Sequence, residues 1–156
     1  MQRIALFPGS FDPFTLGHKA VVDRGLELFD RIVVGVGDNS EKRGLLSPHK
    51  RVQLIRDVYR QEERVEVTLY DGLTGEYCRK EGIPFILRGM RNAVDFEYER
   101  NMELINARLF PEIRTILLCT PAEYAAVSSS IIREILLNQG DASVFLPEGI
   151  TIENYL

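Results

Sequence analysis

The chain has 156 residues, 45% of them hydrophobic and 27% charged, with a formal net charge of −4. That length predicts one domain, residues 1–156, with core enough to fold unaided, and the composition is that of a globular protein rather than a disordered segment. The acidic balance argues against nucleic acid as the main partner, because such domains carry a basic excess, yet it leaves room for a small anion held by a few local cations.

The first predicted element is the apolar run RIALF (3–7), read as a strand, followed at once by PGSFDPFTLGH (8–18). Gly9 and Ser10 let the backbone approach a ligand, Asp12-Pro13 turns the chain, and Gly17 opens a helix over 17–30 with His18 in its first turn. The free N–H groups and positive end of a helix favour an anion there, and an imidazole at that spot can donate to a phosphate oxygen. A plain strand-to-helix turn with a capping histidine is the competing reading of this stretch.

RIVVGVG (31–37) reads as the second strand. A polar loop, 38–48, follows it and carries Lys42 and Arg43, which are either solvated surface cations or within reach of a phosphate. The next helix, 48–61, has Ser47 as its N-cap and Pro48 at its first position. RVEVTLY (64–70) is a third strand, after which Leu73 and Thr74 can line a mixed groove, and a helix over 74–82 is expected to stop at Gly82.

PFILRG (84–89) is the fourth strand, and Arg88 and Arg91 flank Gly89 just beyond it. Two guanidinium groups about one glycine can converge on a phosphate; alternatively they pair with Asp95, Glu97 or Glu99. A helix over 94–110 leads to a fifth strand, RTILLC (114–119), and then to Ser128, Ser129 and Ser130 ahead of a helix over 129–139 that is expected to end at Gly140. Three hydroxyls exceed what capping needs, and with Arg133 one turn in they suggest a second phosphate cradle.

This alternation predicts a doubly wound α/β fold, Rossmann-like, with a five-stranded parallel sheet, whose ligands gather at the carboxyl ends of the strands. Four phosphate-competent features at successive strand ends point to a polyphosphate. GxxxxGK[ST] and GxGxxG are both absent, which excludes a P-loop enzyme and counts against a dinucleotide dehydrogenase. Cys78 and Cys119 lack metal-site spacing and, with no secretory leader in MQRIALFPGS, predict reduced thiols in a cytoplasmic protein. No stretch approaches the roughly 18 uninterrupted apolar residues of a membrane span.

PGSFDPFTLGH resembles the T/HxGH motif of the nucleotidyltransferase superfamily, and VSSSIIRE resembles its ISSSxxR partner. Within that superfamily LRGMRNAVDFEYE is similar to the RGLR-x-x-x-DFEYE segment of the bacterial phosphopantetheine adenylyltransferases. The resemblance covers essentially the whole chain. It implies adenylyl transfer from ATP to 4′-phosphopantetheine, giving dephospho-coenzyme A and pyrophosphate, with Mg2+, in a homohexamer.

Carried over by position, it implies that Ser10, Phe11, His18, Gly89, Met90, Arg91, Glu99 and the run Tyr124, Ala125, Ala126, Val127, Ser128, Ser129 and Ser130 bind ATP. Ser10, Lys42, Leu73, Thr74 and Arg88 would bind the acceptor, and His18, Lys42 and Arg91 would act in catalysis; no metal ligand is assigned. Ser10 stands where many members have threonine, Leu16 where many have asparagine, and Val127 where isoleucine is usual. A nicotinate mononucleotide adenylyltransferase, which is not expected to carry DFEYE, is the nearest rival; a catalytically silent nucleotide-binding module is another.

Overall fold

A computed structural model describes residues 1–38 and 43–156. The five apolar runs are strands: β1 (Ile4–Gly9), β2 (Arg31–Gly37), β3 (Val65–Tyr70), β4 (Phe85–Met90) and β5 (Arg114–Cys119). The helices between them are α1 (Leu16–Gly25), α2 (Pro48–Val58), α3 (Thr74–Glu81), α4 (Ala93–Leu109) and α5 (Ser129–Leu137). All strands are parallel, in the order β3-β2-β1-β4-β5.

Side-chain alternation along β1 divides the core into two layers. Ala5 and Phe7 join a large cluster with Val22, Val34, Leu54 and Ile132, whereas Leu6 joins a smaller one with Val33, Cys78, Ile86 and Phe110. Both sheet faces are thereby covered, which is why these strands read as continuous apolar runs.

Local signals hold where they depend on neighbouring residues. Ser47 caps α2 by accepting from the Lys50 N–H, with Pro48 at the first position, and Gly82 ends α3 in the left-handed conformation at φ 66°. Three boundaries differ from expectation by two residues or more; the first is α2, which stops at Val58 rather than 61, with Glu62 bonding back to Tyr59 in a tighter turn. Helix α1 stops at Gly25 rather than continuing to 30, because Glu27 and Leu28 bond back to Arg24 and Gly25 in tighter turns before Phe29 enters the core. Helix α5 stops at Leu137, and Gln139, not Gly140, takes the left-handed turn at φ 61°. Gly140 then donates to the Ile135 carbonyl, and a side chain on it would strike Ile135. The glycine is there for that close approach rather than for its own dihedral.

Candidate active site

The sheet order reverses between β1 and β4, the position where an open α/β sheet forms a ligand crevice. Strand β1 pairs with β2 from Ile4 to Gly9, but with β4 only at Ala5 and Leu6. Pro8, just beyond, has no N–H to offer a ladder, and its carbonyl accepts instead from Arg88 Nη1 at 2.7 Å. The crevice opens where that ladder ends. It is a cavity of about 300 Å3 lined by residues of both strand ends and of α1 and α5, among them Ser10, His18, Arg88, Arg91 and Ser129.

The turn from β1 into α1 is built around aromatic rings. Phe11 sits at φ 49°, strained for a side chain of its size, and its ring folds over Gly9, where an added Cβ would come within 2.8 Å of Phe11 Cζ. The missing side chain at Gly9 accommodates Phe11, and Gly9 itself lines the cavity. Phe7, Phe11 and Phe14 surround His18, with Phe11 edge-on at 5.0 Å.

Thr15, buried, is the N-cap of α1 and forms a reciprocal box with His18. Its backbone N–H donates to His18 Nδ1 at 3.0 Å and its hydroxyl accepts from the His18 N–H at 3.3 Å. Nδ1 is an acceptor, so the proton of the neutral ring lies on Nε2. Burial, with Arg88 and Arg91 adding to it, pushes the His18 pKa from its ordinary 6.5 down to about 3. His18 is therefore a neutral Nε2–H donor across physiological pH, where an ordinary histidine would titrate.

The shift fixes a sign. Between pH 6.5 and 3 the unfolded chain holds a proton that folded His18 lacks, so stability falls as pH falls through that window and the contribution is flat above it. Denaturation of the wild type and His18→Asn from pH 7.5 to 5 should therefore show the wild type's relative stability shrinking toward acid; a constant difference would contradict the assignment.

Arg88 and Arg91 both line the cavity, and both carry the carboxylate partners that the competing reading foresaw. Arg88 Nε and Nη2 donate to Glu99, the only buried residue of α4, the latter at 2.7 Å. Arg91 Nε donates to Asp95 at 3.1 Å and its Nη1 to the Val127 carbonyl at 3.4 Å. These are not merely alternatives to anion binding. A guanidinium has five N–H groups, and after Glu99 and Pro8 two remain on Arg88 for a ligand. The carboxylates hold the forks still.

Gly17 lines the same cavity, and an added Cβ there would meet nothing in the protein nearer than 3.5 Å. The fold tolerates the methyl; only the cavity loses the space. Gly17→Ala is expected to leave stability unchanged or raise it by up to about 1 kcal/mol while weakening nucleotide binding, readable by thermal melting beside ligand titration. Gly89 differs: a Cβ would come within 2.7 Å of Val21 Cγ2, so this glycine serves strand-to-helix packing as well as cavity space.

The three serines divide their work. Ser128 caps α5 by accepting from the Ile131 N–H, Ser129 Oγ donates to the Pro13 carbonyl at 2.8 Å, and Ser130 Oγ accepts from Arg133. Val127, Ser128 and Ser129 line the cavity; Ser130, Tyr124, Ala125, Ala126 and Met90 do not. Arg133 faces away, its Nη1 on the Asp12 carbonyl at 2.7 Å, so the cradle expected from it does not form in this cavity.

A second cavity of about 260 Å3 abuts the first and shares Arg88 and Glu99 with it. Leu73 and Thr74 line it, with Tyr98, Met102 and Phe110 giving it an apolar end, and Thr74 Oγ1 lies 2.9 Å from the Tyr70 hydroxyl. Leu16 is half-buried and lines neither cavity. Lys42 lies outside the described residues.

Two positioning features escape sequence reasoning. Thr15 belongs to the TLGH stretch, and a capping pattern was the signal for it. Asp12 accepts from the Leu45 and Leu46 N–H groups at 2.8 Å each and pairs with buried Arg51, fastening the His18 turn to the segment after β2. Nothing in the spacing of positions 12 and 51 announces that pair.

Residues 6–135 match the cytidylyltransferase-like family. A phosphopantetheine adenylyltransferase of Flavobacterium psychrophilum is 44% identical over 97% of this chain and 100% of its own length, and one of Bacteroides fragilis is 46% identical over 96% and 99%. The chain belongs to the phosphopantetheine adenylyltransferase family. Among solved structures, a putative nicotinate-nucleotide adenylyltransferase of Vibrio parahaemolyticus superposes with a TM-score of 0.61 at 19% identity over 94% of each chain. A bifunctional NMN adenylyltransferase/ADP ribose pyrophosphatase of Francisella tularensis superposes with a TM-score of 0.74 at 15% identity over 97% of this chain, which spans 47% of that longer protein. At those identities the structures share the family's fold.

Proposed function

We infer that the protein transfers the adenylyl group of ATP to 4′-phosphopantetheine, giving dephospho-coenzyme A and pyrophosphate in coenzyme A biosynthesis. Two abutting cavities that share the Arg88–Glu99 wall, in a chain of this family, carry the reading. The larger suits the nucleotide, the partly apolar one a phosphate with an uncharged arm.

The acceptor phosphate is dianionic above its second pKa of about 6, so its oxygen attacks the α-phosphorus without a base. As that bond forms, the bond from the α-phosphorus to the bridging oxygen breaks, and its electron pair leaves with pyrophosphate. Alignment and charge stabilisation remain for the protein to supply. In this scheme the His18 Nε2–H donates to the α-phosphate, and Lys42 and Arg91 share the developing charge. Arg88 and Lys42 hold the acceptor phosphate, Leu73 and Thr74 line its arm, and Ser10 touches both substrates. Phe11, Gly89 and Val127 to Ser129 line the nucleotide cavity, Met90, residues 124–126 and Ser130 are proposed to meet the nucleotide beyond that cavity, and Glu99 acts through Arg88.

Mg2+ is proposed as the counter-ion that ATP brings, held by phosphate oxygens and water as is usual for this ion. Among the described residues no three His, Cys, Asp or Glu side chains gather into a metal site, and Asp95 and Glu99 are committed to arginines. Self-association, which the family resemblance puts at a homohexamer, is supported only as contact between copies by exposed apolar side chains of α4, among them Val94, Leu104 and Ile105; exposed apolar patches mark interfaces, and sedimentation velocity reads the assembly. No helix among the described residues is long and apolar enough to cross a membrane, and we place the enzyme in the cytoplasm with its substrates.

One assay tests the activity. The pure protein with ATP and Mg2+ should release pyrophosphate when given 4′-phosphopantetheine, and release should stop on chelation with EDTA and return with added Mg2+. Release with nicotinate mononucleotide alone would refute the substrate; release with neither would favour a silent module.

A further inference from the structure

Asp12 and Arg51 are buried, 5% and 7% exposed, and the scheme above gives neither a part in the chemistry. Taking both charges out of water is costly, and a well-packed apolar pair often serves stability as well. Their hydrogen bonds show what the ionic pair does instead. The Asp12 carboxylate accepts from the Leu45 and Leu46 N–H groups and faces Arg51 Nε at 3.4 Å. Arg51 Nε donates to the Leu46 carbonyl at 2.9 Å, and its Nη1 donates to the Ser10 carbonyl at 3.3 Å. Gly44 closes over both groups, since a Cβ there would overlap Arg51 Nη2 and Asp12 Oδ2.

Between Ser10 and Asp12 lies Phe11, in the left-handed region at φ 49°. An aromatic residue keeps that conformation only where its surroundings over-determine it. The ion pair grips the chain on both sides of it. Arg51 fixes the carbonyl just before Phe11, and the carboxylate just after it is fastened to the backbone of Leu45 and Leu46. The forced turn lays the Phe11 ring over Gly9 and edge-on to His18, with ring centroids 5.0 Å apart. Phe14 packs on both of those rings, at 5.4 Å from each. Neither Asp12 nor Arg51 lines the cavity that holds His18, so neither can touch a substrate there.

We propose that Asp12 and Arg51 are positioning residues of the adenylyl transfer, clamping the backbone about Phe11 so that its ring holds the His18 imidazole aimed into the cavity. The effect on rate rests on the adenylyl-transfer reading; the effect on the ring does not.

Arg51→Lys tests the clamp while keeping a positive charge opposite Asp12, because one ammonium cannot reproduce the guanidinium fork that joins Asp12, Leu46 and Ser10. Its kcat should fall about tenfold or more, as when a reacting group is misplaced, while KM for ATP stays within about threefold. In 15N-labelled protein the wild-type His18 ring should stay neutral from about pH 7.5 to 5. In Arg51→Lys it should begin to protonate near pH 6, as the loosened ring returns toward its ordinary pKa of 6.5. His49 is the only other histidine, so the signals are readily told apart.

The double variant Asp12→Asn, Arg51→Gln leaves no charge buried alone. It should be less destabilised than its two single variants combined, yet its kcat should stay low. A pair that served stability alone would move the unfolding midpoint and leave both kcat of the folded enzyme and the His18 signals unchanged. That result overturns the proposal, as does a wild-type rate in the double variant. If the wild type releases no pyrophosphate the adenylyl-transfer reading fails, and the His18 signals still decide whether the pair holds the ring.

Discussion

Replacing His18 by alanine is expected to lower kcat by about 10²- to 10³-fold, the usual loss when one preorganised donor to a developing oxyanion is removed, with ATP affinity changed by no more than about threefold. The asymmetry follows from the charge state of the ring. A protonated histidine would attract ATP in the ground state and lose much binding when removed. His18, held neutral by burial among three phenyl rings and by two arginines, contributes one directed N–H whose value grows as charge builds on the α-phosphate. Alanine also removes half of the Thr15 capping box, so a second variant separates local structure from chemistry. His18→Gln carries an amide N–H about as far out as Nε2 and should recover part of the rate. Steady-state kinetics with both substrates varied will decide; near-normal kcat in the alanine variant would remove His18 from the mechanism.

Arg88→Gln should damage two properties at once. The substitution leaves Glu99, 6% exposed, without its ion pair, and breaking a buried pair from one side costs about 3–5 kcal/mol. Arg88 keeps 30% of its side-chain surface in solvent, so the expected loss is smaller, about 2–3 kcal/mol. The same change removes the two N–H groups that Arg88, which lines both cavities, has left for a ligand, and kcat/KM for the acceptor should fall about 100-fold or more. The double variant Arg88→Gln, Glu99→Gln should regain stability, because no charge is left buried alone, without regaining activity. Chemical denaturation beside acceptor kinetics reads both. Recovery of activity in the double variant would show that Arg88 serves the fold alone.

The sheet was largely readable from residue patterns, since each strand is an apolar run and each intervening helix begins or ends on a local signal. Ser47, Pro48 and Gly82 act on their own backbone neighbourhood, so their roles follow from position in the chain. Gly140 and the end of α1 were misjudged because the deciding contacts, with Ile135 in one case and the turn into Phe29 in the other, involve packing rather than propensity. At the site, the convergence of His18, Arg88, Arg91 and Ser129 was foreseeable from their places after strands of one parallel sheet. The partners of those residues were not.

Residue order alone therefore determined the alternating strands and helices, the sheet edge at which phosphate-binding groups collect, and the family motifs in PGSFDPFTLGH and LRGMRNAVDFEYE. The tertiary structure decided which nitrogen of His18 carries the proton, which N–H groups of Arg88 remain unbonded, and that Arg133 turns to the Asp12 carbonyl. Strands and caps are set by interactions a few residues apart. Protonation states and guanidinium orientation depend on burial and on partners as distant as Pro8 from Arg88, or Asp12 from Arg133, and only the folded chain brings those together.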